Sequence, residues 1–296
     1  MKRLVSRIVL VLPLILLMIP LAGMAGDMRA RGTQRESGGA IFTAPPRTFF
    51  LGQTSLAKSF GGFSGFTSID IPGVSLVQAN GINNKGLIVG RYEDETGGHG
   101  FLLQDGLVTA INIPGNPDTT ITDINNKGVM IGVYLDPFGD SHAFMLKGSS
   151  VTHLPVAGAT PLGINDRGLI VGTYTADGHA HGFLLDGEDV AAIDFPGAID
   201  TWAEEINRRN VIVGTYRDSG GSLHGFVLDD GAFTTIDFPD ADPSTWVQGI
   251  NNRGVIVGMY DVLGRGQNAF ILDRGQFTGG FAFPNTADGG TTVPMD

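Results

Sequence analysis

Across residues 66–284, apolar positions fall in short alternating runs, each cut off by Gly, Asn, Asp or Pro. Runs of this kind, rich in Val, Ile, Phe and Thr, predict β-strands joined by tight turns. One run recurs. Ile82-Asn83-Asn84-Lys85-Gly86-Leu87-Ile88-Val89-Gly90-Arg91-Tyr92 has near copies beginning at Ile124, Ile164, Ile206 and Ile250. The spacing is roughly 40 to 44 residues, which is the signature of an array architecture.

Each repeat holds four strand-like pieces. The first ends in Ile-Asn, and the second is the apolar run Leu87–Gly90. The third opens with His-Gly-Phe or His-Ala-Phe. The fourth is Val108–Gly115, echoed at Phe66–Gly73, Val190–Gly197 and Phe233–Pro239. Asn-Asn-Lys-Gly between the first two reads as a tight turn in which Gly86 is free to take positive φ. Pro114 and its equivalents end the fourth strand, because proline cannot donate within a central ladder. Four antiparallel strands in about 42 residues is the profile of a β-propeller blade. The expected fold is therefore all-β, a propeller of five blades, with six as the alternative. Five sets of the first three strands stand against six of the fourth. On this reading Phe66–Gly73 completes the last blade and closes the ring. The copy at Gln276–Pro284 is then surplus, or sits in an incomplete sixth blade.

The flanks read differently. Residues 1–25 have the form of a secretory signal peptide: Lys2, Arg3 and Arg7, an apolar run from Ile8 to Leu21, and small residues at Gly23 and Ala25 before Gly26. The run is shorter than the roughly 20 residues that a spanning helix needs. An uncleaved N-terminal membrane anchor is the alternative. Residues 26–65 read as a linker, mostly disordered, with Phe49-Phe50-Leu51 placed to add a stray strand to the first unit. Residues 66–284 form the repeat domain, and 285–296 read as a disordered tail.

The recurring I-N-x-[KR]-G-x-[IM]-[VI]-G-x-Y, followed by H-[GA]-F, resembles the HAF family of extracellular repeat proteins. His142-Ala143-Phe144 carries the naming motif, with His-Gly-Phe at His99, His181 and His224. Two places depart from it. The last unit has Asn268-Ala269-Phe270, and the fourth has Asn210 where the turn glycine belongs. The resemblance implies export and a propeller-like fold, and it implies no established activity.

Composition narrows the field. Glycine is abundant at 45 residues and charged residues make up only 17% of the chain, which suits strands and turns better than helices. The formal net charge is −11, and loss of the leader makes the chain more acidic still. Such a surface repels nucleic-acid backbones and anionic lipid. With no cysteine, disulfides, thiolate metal sites and a cysteine nucleophile are excluded. The expected location is secreted or periplasmic, with no membrane span once the leader is cleaved.

A residue present in every blade holds blades together, whereas a site needs asymmetric groups. All five tyrosines (Tyr92, Tyr134, Tyr174, Tyr216 and Tyr260) share one repeat position, and His99, His142, His181 and His224 share another. Both sets are read as structural. Asymmetry appears in the loops leading into the first strands, at Asp118, at Asp200 with Trp202, and at Asp242 with Trp246. Aromatic faces beside carboxylates suit a glycan or peptide. A second acidic set comprises Asp94, Asp136, Asp140, Asp177 and Asp218. Asp177-Gly178-His179-Ala180-His181 places three candidate ligands at period-2 spacing, but no D-x-D-x-D-G calcium loop is present and no metal or cofactor is assigned. No G-x-S-x-G elbow, phosphate loop or H-E-x-x-H occurs. The reading is a binding or scaffold module for a glycan, a peptide or an envelope protein. The alternative is a hydrolase or lyase acting on a carbohydrate through paired carboxylates. The leader assignment makes a direct prediction: the exported protein begins at Gly26 by intact mass. A mass that retains Lys2 and Arg3 favours the anchor instead.

Overall fold

The computed structural model describes residues 49–50, 69–74, 76–116, 118–239, 241, 244–262 and 266–281. The signal-peptide and tail assignments, and most of the linker, lie outside them. All regular structure among the described residues is β, and no helix among them is long and apolar enough to cross a membrane. Strand β1 (Phe49–Phe50) pairs with the outer edge of the first sheet, Phe49 opposite Val108.

The repeats form five four-stranded antiparallel sheets, each a simple meander. The first comprises β2 (Leu76–Ile82), β3 (Ile88–Asp94), β4 (Gly97–Gln104) and β5 (Leu107–Ile111). The second comprises β6 (Asp118–Ile124), β7 (Val129–Leu135), β8 (Ser141–Lys147) and β9 (Ser150–His153). The third is β10 (Thr160–Ile164), β11 (Ile170–Ala176), β12 (His179–Asp186) and β13 (Asp189–Ile193). The fourth is β14 (Asp200–Ile206), β15 (Ile212–Arg217), β16 (Leu223–Asp229) and β17 (Ala232–Ile236). The fifth is β18 (Thr245–Ile250), β19 (Ile256–Val262), β20 (Gly266–Asp273) and β21 (Gln276–Phe281). A single parallel bridge, Gly98 to Asp118, links the first two sheets. The first strand of each later sheet packs on the sheet before it, and β2, β6, β10, β14 and β18 meet in succession. Among the described residues that series ends at β18.

One expectation is corrected here. The fourth strand of the last sheet is Gln276–Phe281, paired to β20, and not the copy at Phe66–Gly73. A strand that follows β20 through the tight Arg274-Gly275 turn pairs locally, without the entropy of joining the two ends of the array. Residues 69–74 instead lie on the first sheet, where Ile71 packs with Tyr92, Phe101 and Val108.

Each interface between sheets is a dry cluster. Phe101, Phe144, Phe183, Phe226 and Phe270 are all fully buried, each against residues of the element that precedes it. The glycine of the second strand makes room for this ring. The first strands carry a bulge, between Pro161 and Gly163 in the third sheet, which pushes the carbonyl of Thr160 toward Gly172. A Cβ at Gly172 would run into that carbonyl and stand 2.8 Å from the Phe183 ring.

The second joint is polar. In the first turn, Asn83 Oδ1 accepts the backbone N–H of Lys85 (3.0 Å) and of Leu87 (3.1 Å), while its Nδ2 donates to the carbonyl of Asn125 in the next sheet (3.0 Å). Asn125 donates on to Asn165, Asn165 to Asn207, and Asn207 to Asn251. The turn glycine takes positive φ, as at Gly86 (77°), and Asn210 takes the same conformation at 66°. Asparagine is the side chain best able to replace glycine there.

Asn165→Ala removes four hydrogen bonds from a buried carboxamide and should cost about 3 kcal/mol in denaturant unfolding. Gly172→Ala should cost a similar ~3 kcal/mol through overpacking against backbone. An exposed-turn substitution such as Asn84→Ala should cost well under half as much.

Candidate functional site

The hairpins between second and third strands, and the crossings from each fourth strand to the next first strand, meet at one end of the array. The crossings are tied locally. Thr119 Oγ accepts the N–H of Ile113, Thr201 that of Phe195 and Thr245 that of Phe238, at 3.2, 3.0 and 3.1 Å. Of the carboxylates expected beside a ligand, Asp118 receives both Nε (3.2 Å) and Nη2 (2.9 Å) of Arg91 from the preceding sheet. Asp200 is buried, accepts the N–H of Ala180 at 2.8 Å, and pairs with Arg217. Both acids are thus engaged in holding sheets together, a charge-assisted role that leaves them little capacity for a ligand. Asp242 lies outside the described residues.

Trp202 and Trp246 occupy the same register position on adjacent inner strands, opposite Thr215 and Met259. Both are half-buried. Their neighbours Ala203 and Val247 are fully buried against the preceding sheet, so alternation turns both indoles the other way. Trp202 stays half-buried although a sheet follows it, so its exposure is no end effect. Among the described residues neither indole has a stacking or hydrogen-bonding partner. At the same end stands Phe138, 90% exposed, which sequence reading missed. Its turn is rigid: Asp136 Oδ1 accepts the N–H of Phe138 (2.8 Å) and of Asp140 (2.9 Å). The Asp-Pro-Phe-Gly sequence, a turn with an apolar tip, was the available signal.

The repeated histidines pin this end. Each lies directly opposite its tyrosine, with ring centroids 5.1–5.4 Å apart. His99 bridges Asp94 (3.1 Å) and Asn112 (3.0 Å), and His224 bridges Asp218 (3.4 Å) and Asp237 (2.9 Å). His142 reaches Asp136 at 3.1 Å and His181 reaches Asp194 at 2.9 Å. In the fifth unit Tyr260 faces Asn268 instead. The His142 hydrogen bond holds the Asp136 carboxyl below the usual range. The Ser222 N–H, with His224, does the same for Asp218. The Asp177–His181 stretch does not converge: Asp177 is a turn residue at φ 52°, His179 faces Asp200 at 3.7 Å, and His181 pairs with Asp194. Among the described residues no three such side chains come together as a metal site.

A second acidic group, also missed, sits toward the opposite end of the inner strands. The residue before the Ile-Asn motif runs Gly81, Asp123, Gly163, Glu205 and Gly249. Asp123 Oδ2 accepts the N–H of Ile164 at 2.9 Å, and Glu205 Oε1 accepts that of Ile206 at 2.8 Å. Each acid crowds the glycine of the preceding sheet: a Cβ at Gly81 would stand 2.5 Å from Asp123 Oδ1, and one at Gly163 would stand 2.8 Å from Glu205 Oε1. Burial pushes Asp123 up to about 6 and Glu204 up to about 7. Glu205 is raised well above the usual range, by burial first and then by the charge of Asp123. Glu204 and Glu205 keep part of their surface open, as side chains in a narrow, protein-lined space do.

No family model and no curated protein matches the chain. Its fold is similar to that of several solved structures. TolB from Acinetobacter baumannii matches with a TM-score of 0.55 at 15% identity, over 66% of this chain and 52% of that one. This chain thus spans about half the length of that protein. The β-propeller domain of the Trilobed protease from Pyrococcus furiosus, of open velcro topology, gives 0.49 at 11% identity over 75% and 88% of the two chains. The six-bladed fucose-recognising lectin from Aleuria aurantia gives 0.47 at 12% identity over 71% and 80%. At these identities the likeness concerns the fold, an all-β array of the propeller kind.

The shifted carboxyls set a pH dependence. Asp123 and Glu204 bind protons more tightly folded than unfolded, so stability should fall as pH rises from about 4.5 to about 7 and then level off. Asp136 and Asp218, held low, contribute stability above their ordinary range that is lost as pH falls below about 4. Melting temperature should therefore peak near pH ~4.5, and Glu204→Gln should flatten the limb above the peak. A melting temperature that rises steadily from pH 5 to 8 would contradict this assignment.

Proposed function

We propose that the protein is an exported propeller of five complete blades, of the HAF repeat type, that serves as a binding or scaffold module. Its partner is a glycan, a peptide or an envelope protein, met in the periplasm or outside the cell. The observation that carries this reading is the pair of half-buried indoles, Trp202 and Trp246, at one register position on neighbouring strands, with the exposed Phe138 at the same end. Indole faces take sugar rings or apolar peptide side chains at low conformational cost. Asp118 and Asp200, on the same strand ends as this platform, bond across to the preceding sheets through Arg91 and the Ala180 N–H.

A second reading draws on a different observation. Asp123, Glu204 and Glu205 bring to one region carboxyls whose proton affinity burial raises, as a general acid requires. A carbohydrate hydrolase or lyase would use one of them protonated beside another ionised.

Glycan and peptide arrays probed with the chain from Gly26 onward test both. On the binding reading a ligand is retained unchanged, and Trp202→Ala and Trp246→Ala each lose about tenfold in affinity, ~1.4 kcal/mol, with little change in melting. If both variants melt early and bind normally while folded, the platform is not the site. Turnover of an array glycan that vanishes in Glu204→Gln, and persists in the Trp variants, replaces binding with hydrolysis.

A further inference from the structure

The fifth sheet presents a face that every other sheet covers. Val89, Ile131, Val171 and Val213 are fully buried by the sheet that follows each, whereas their counterpart Val257 is only half-buried. Asn83, Asn125, Asn165 and Asn207 each donate to the next turn. Asn251 is exposed, and no acceptor for its Nδ2 lies among the described residues.

The chain carries matching pieces on both sides of this seam. Ile69-Asp70-Ile71-Pro72-Gly73 reads as Ile111-Asn112-Ile113-Pro114-Gly115. It also packs alike: Ile69 and Ile71 lie with Phe101 of the first sheet as Ile111 and Ile113 lie with Phe144 of the second. The end of an outer strand is thus already seated where a preceding sheet would stand. Beyond β21 the sequence gives the opposite piece. Phe281-Ala282-Phe283-Pro284 has the form of a fourth-strand end. Thr291-Thr292-Val293 then repeats Thr119-Thr120-Ile121 and Thr245-Trp246-Val247. The crossing from proline to threonine lengthens by single steps, from Pro114–Thr119 through Pro239–Thr245 to a Pro284–Thr291 crossing one residue longer again.

We propose that Thr291-Thr292-Val293 docks on the open face of the fifth sheet as the first strand of a sixth. Val293 then takes the place of Ile121, Ala203 and Val247, which are fully buried, and Val257 is its partner as Val213 is the partner of Val247. Thr291 Oγ accepts the N–H of Phe283, as Thr245 accepts that of Phe238. This assigns residues 285–296 to closing the seam, in place of the free tail that their composition suggests.

The chain has no cysteine, so an engineered pair reports without interference. In the full chain, Val257→Cys with Val293→Cys should form an intramolecular disulfide on mild oxidation, since bridging requires Cα atoms within about 7 Å. Val257→Cys with Thr286→Cys should not. Val293→Asp, which places a charge in the interface without touching the five described sheets, should lower the melting temperature by several degrees. Thiols that stay free, a bridge only between chains, equal bridging by both pairs, or an unchanged melting temperature in Val293→Asp would each overturn the assignment.

Discussion

The carboxamide of the Ile-Asn motif does two things at once. Its oxygen closes the turn of its own repeat on two backbone N–H groups, and its nitrogen reaches the backbone of the next repeat. A buried amide with unmet hydrogen bonds is costly, so the turn is satisfied only when a neighbouring sheet stands beside it. Local conformation and assembly are thereby one condition. The Phe ring behind each second-strand glycine repeats the coupling in apolar terms, because its burial requires the sheet before it. Stability of this kind passes between nearest neighbours along a solenoid-like series.

That coupling explains why so little of the repeat is left for a ligand. Tyr and His stack at the end of four sheets, the hairpin Asp holds the His in three of them, and the Thr of three first strands fastens the crossing. Acids that look irregular in sequence also bond across sheets: Asp118 accepts from Arg91 and Asp200 from the Ala180 N–H. What remains is a small set of departures from the repeat. Two half-buried indoles and one exposed phenyl ring stand at one end, and three carboxyls whose proton affinity burial has raised lie toward the other. The two groups call for different partners, an apolar or sugar face in the first case and a proton-linked one in the second.

The strands, their order and the turns were legible because period-2 patterning and Asn/Gly punctuation are local signals. The Tyr–His position stands out by its recurrence, and in the fifth unit Asn268 faces the tyrosine in place of histidine. Contacts between repeats were not legible. Nothing local marks Arg91 as the partner of Asp118, because the pairing depends on how the second sheet sits on the first. The alternation Gly81, Asp123, Gly163, Glu205, Gly249 is plain in the sequence. Its meaning, side chains crowding a neighbour that lacks one, needs the packing. Closure by Phe66–Gly73 failed for a similar reason: two equally good strand copies competed for one edge, and proximity along the chain decided for Gln276–Phe281.

The central claim is that the asparagine joins sheets and does not merely shape its own turn. Amide hydrogen exchange in an Asn125→Ala variant, read segment by segment against the parent chain, tests it most directly. Protection should fall at residues 127–129, which lose their acceptor, and also in the turns at 83–87 and 165–169 on either side. Loss confined to residues 125–129, with both neighbouring turns as protected as before, would contradict the account.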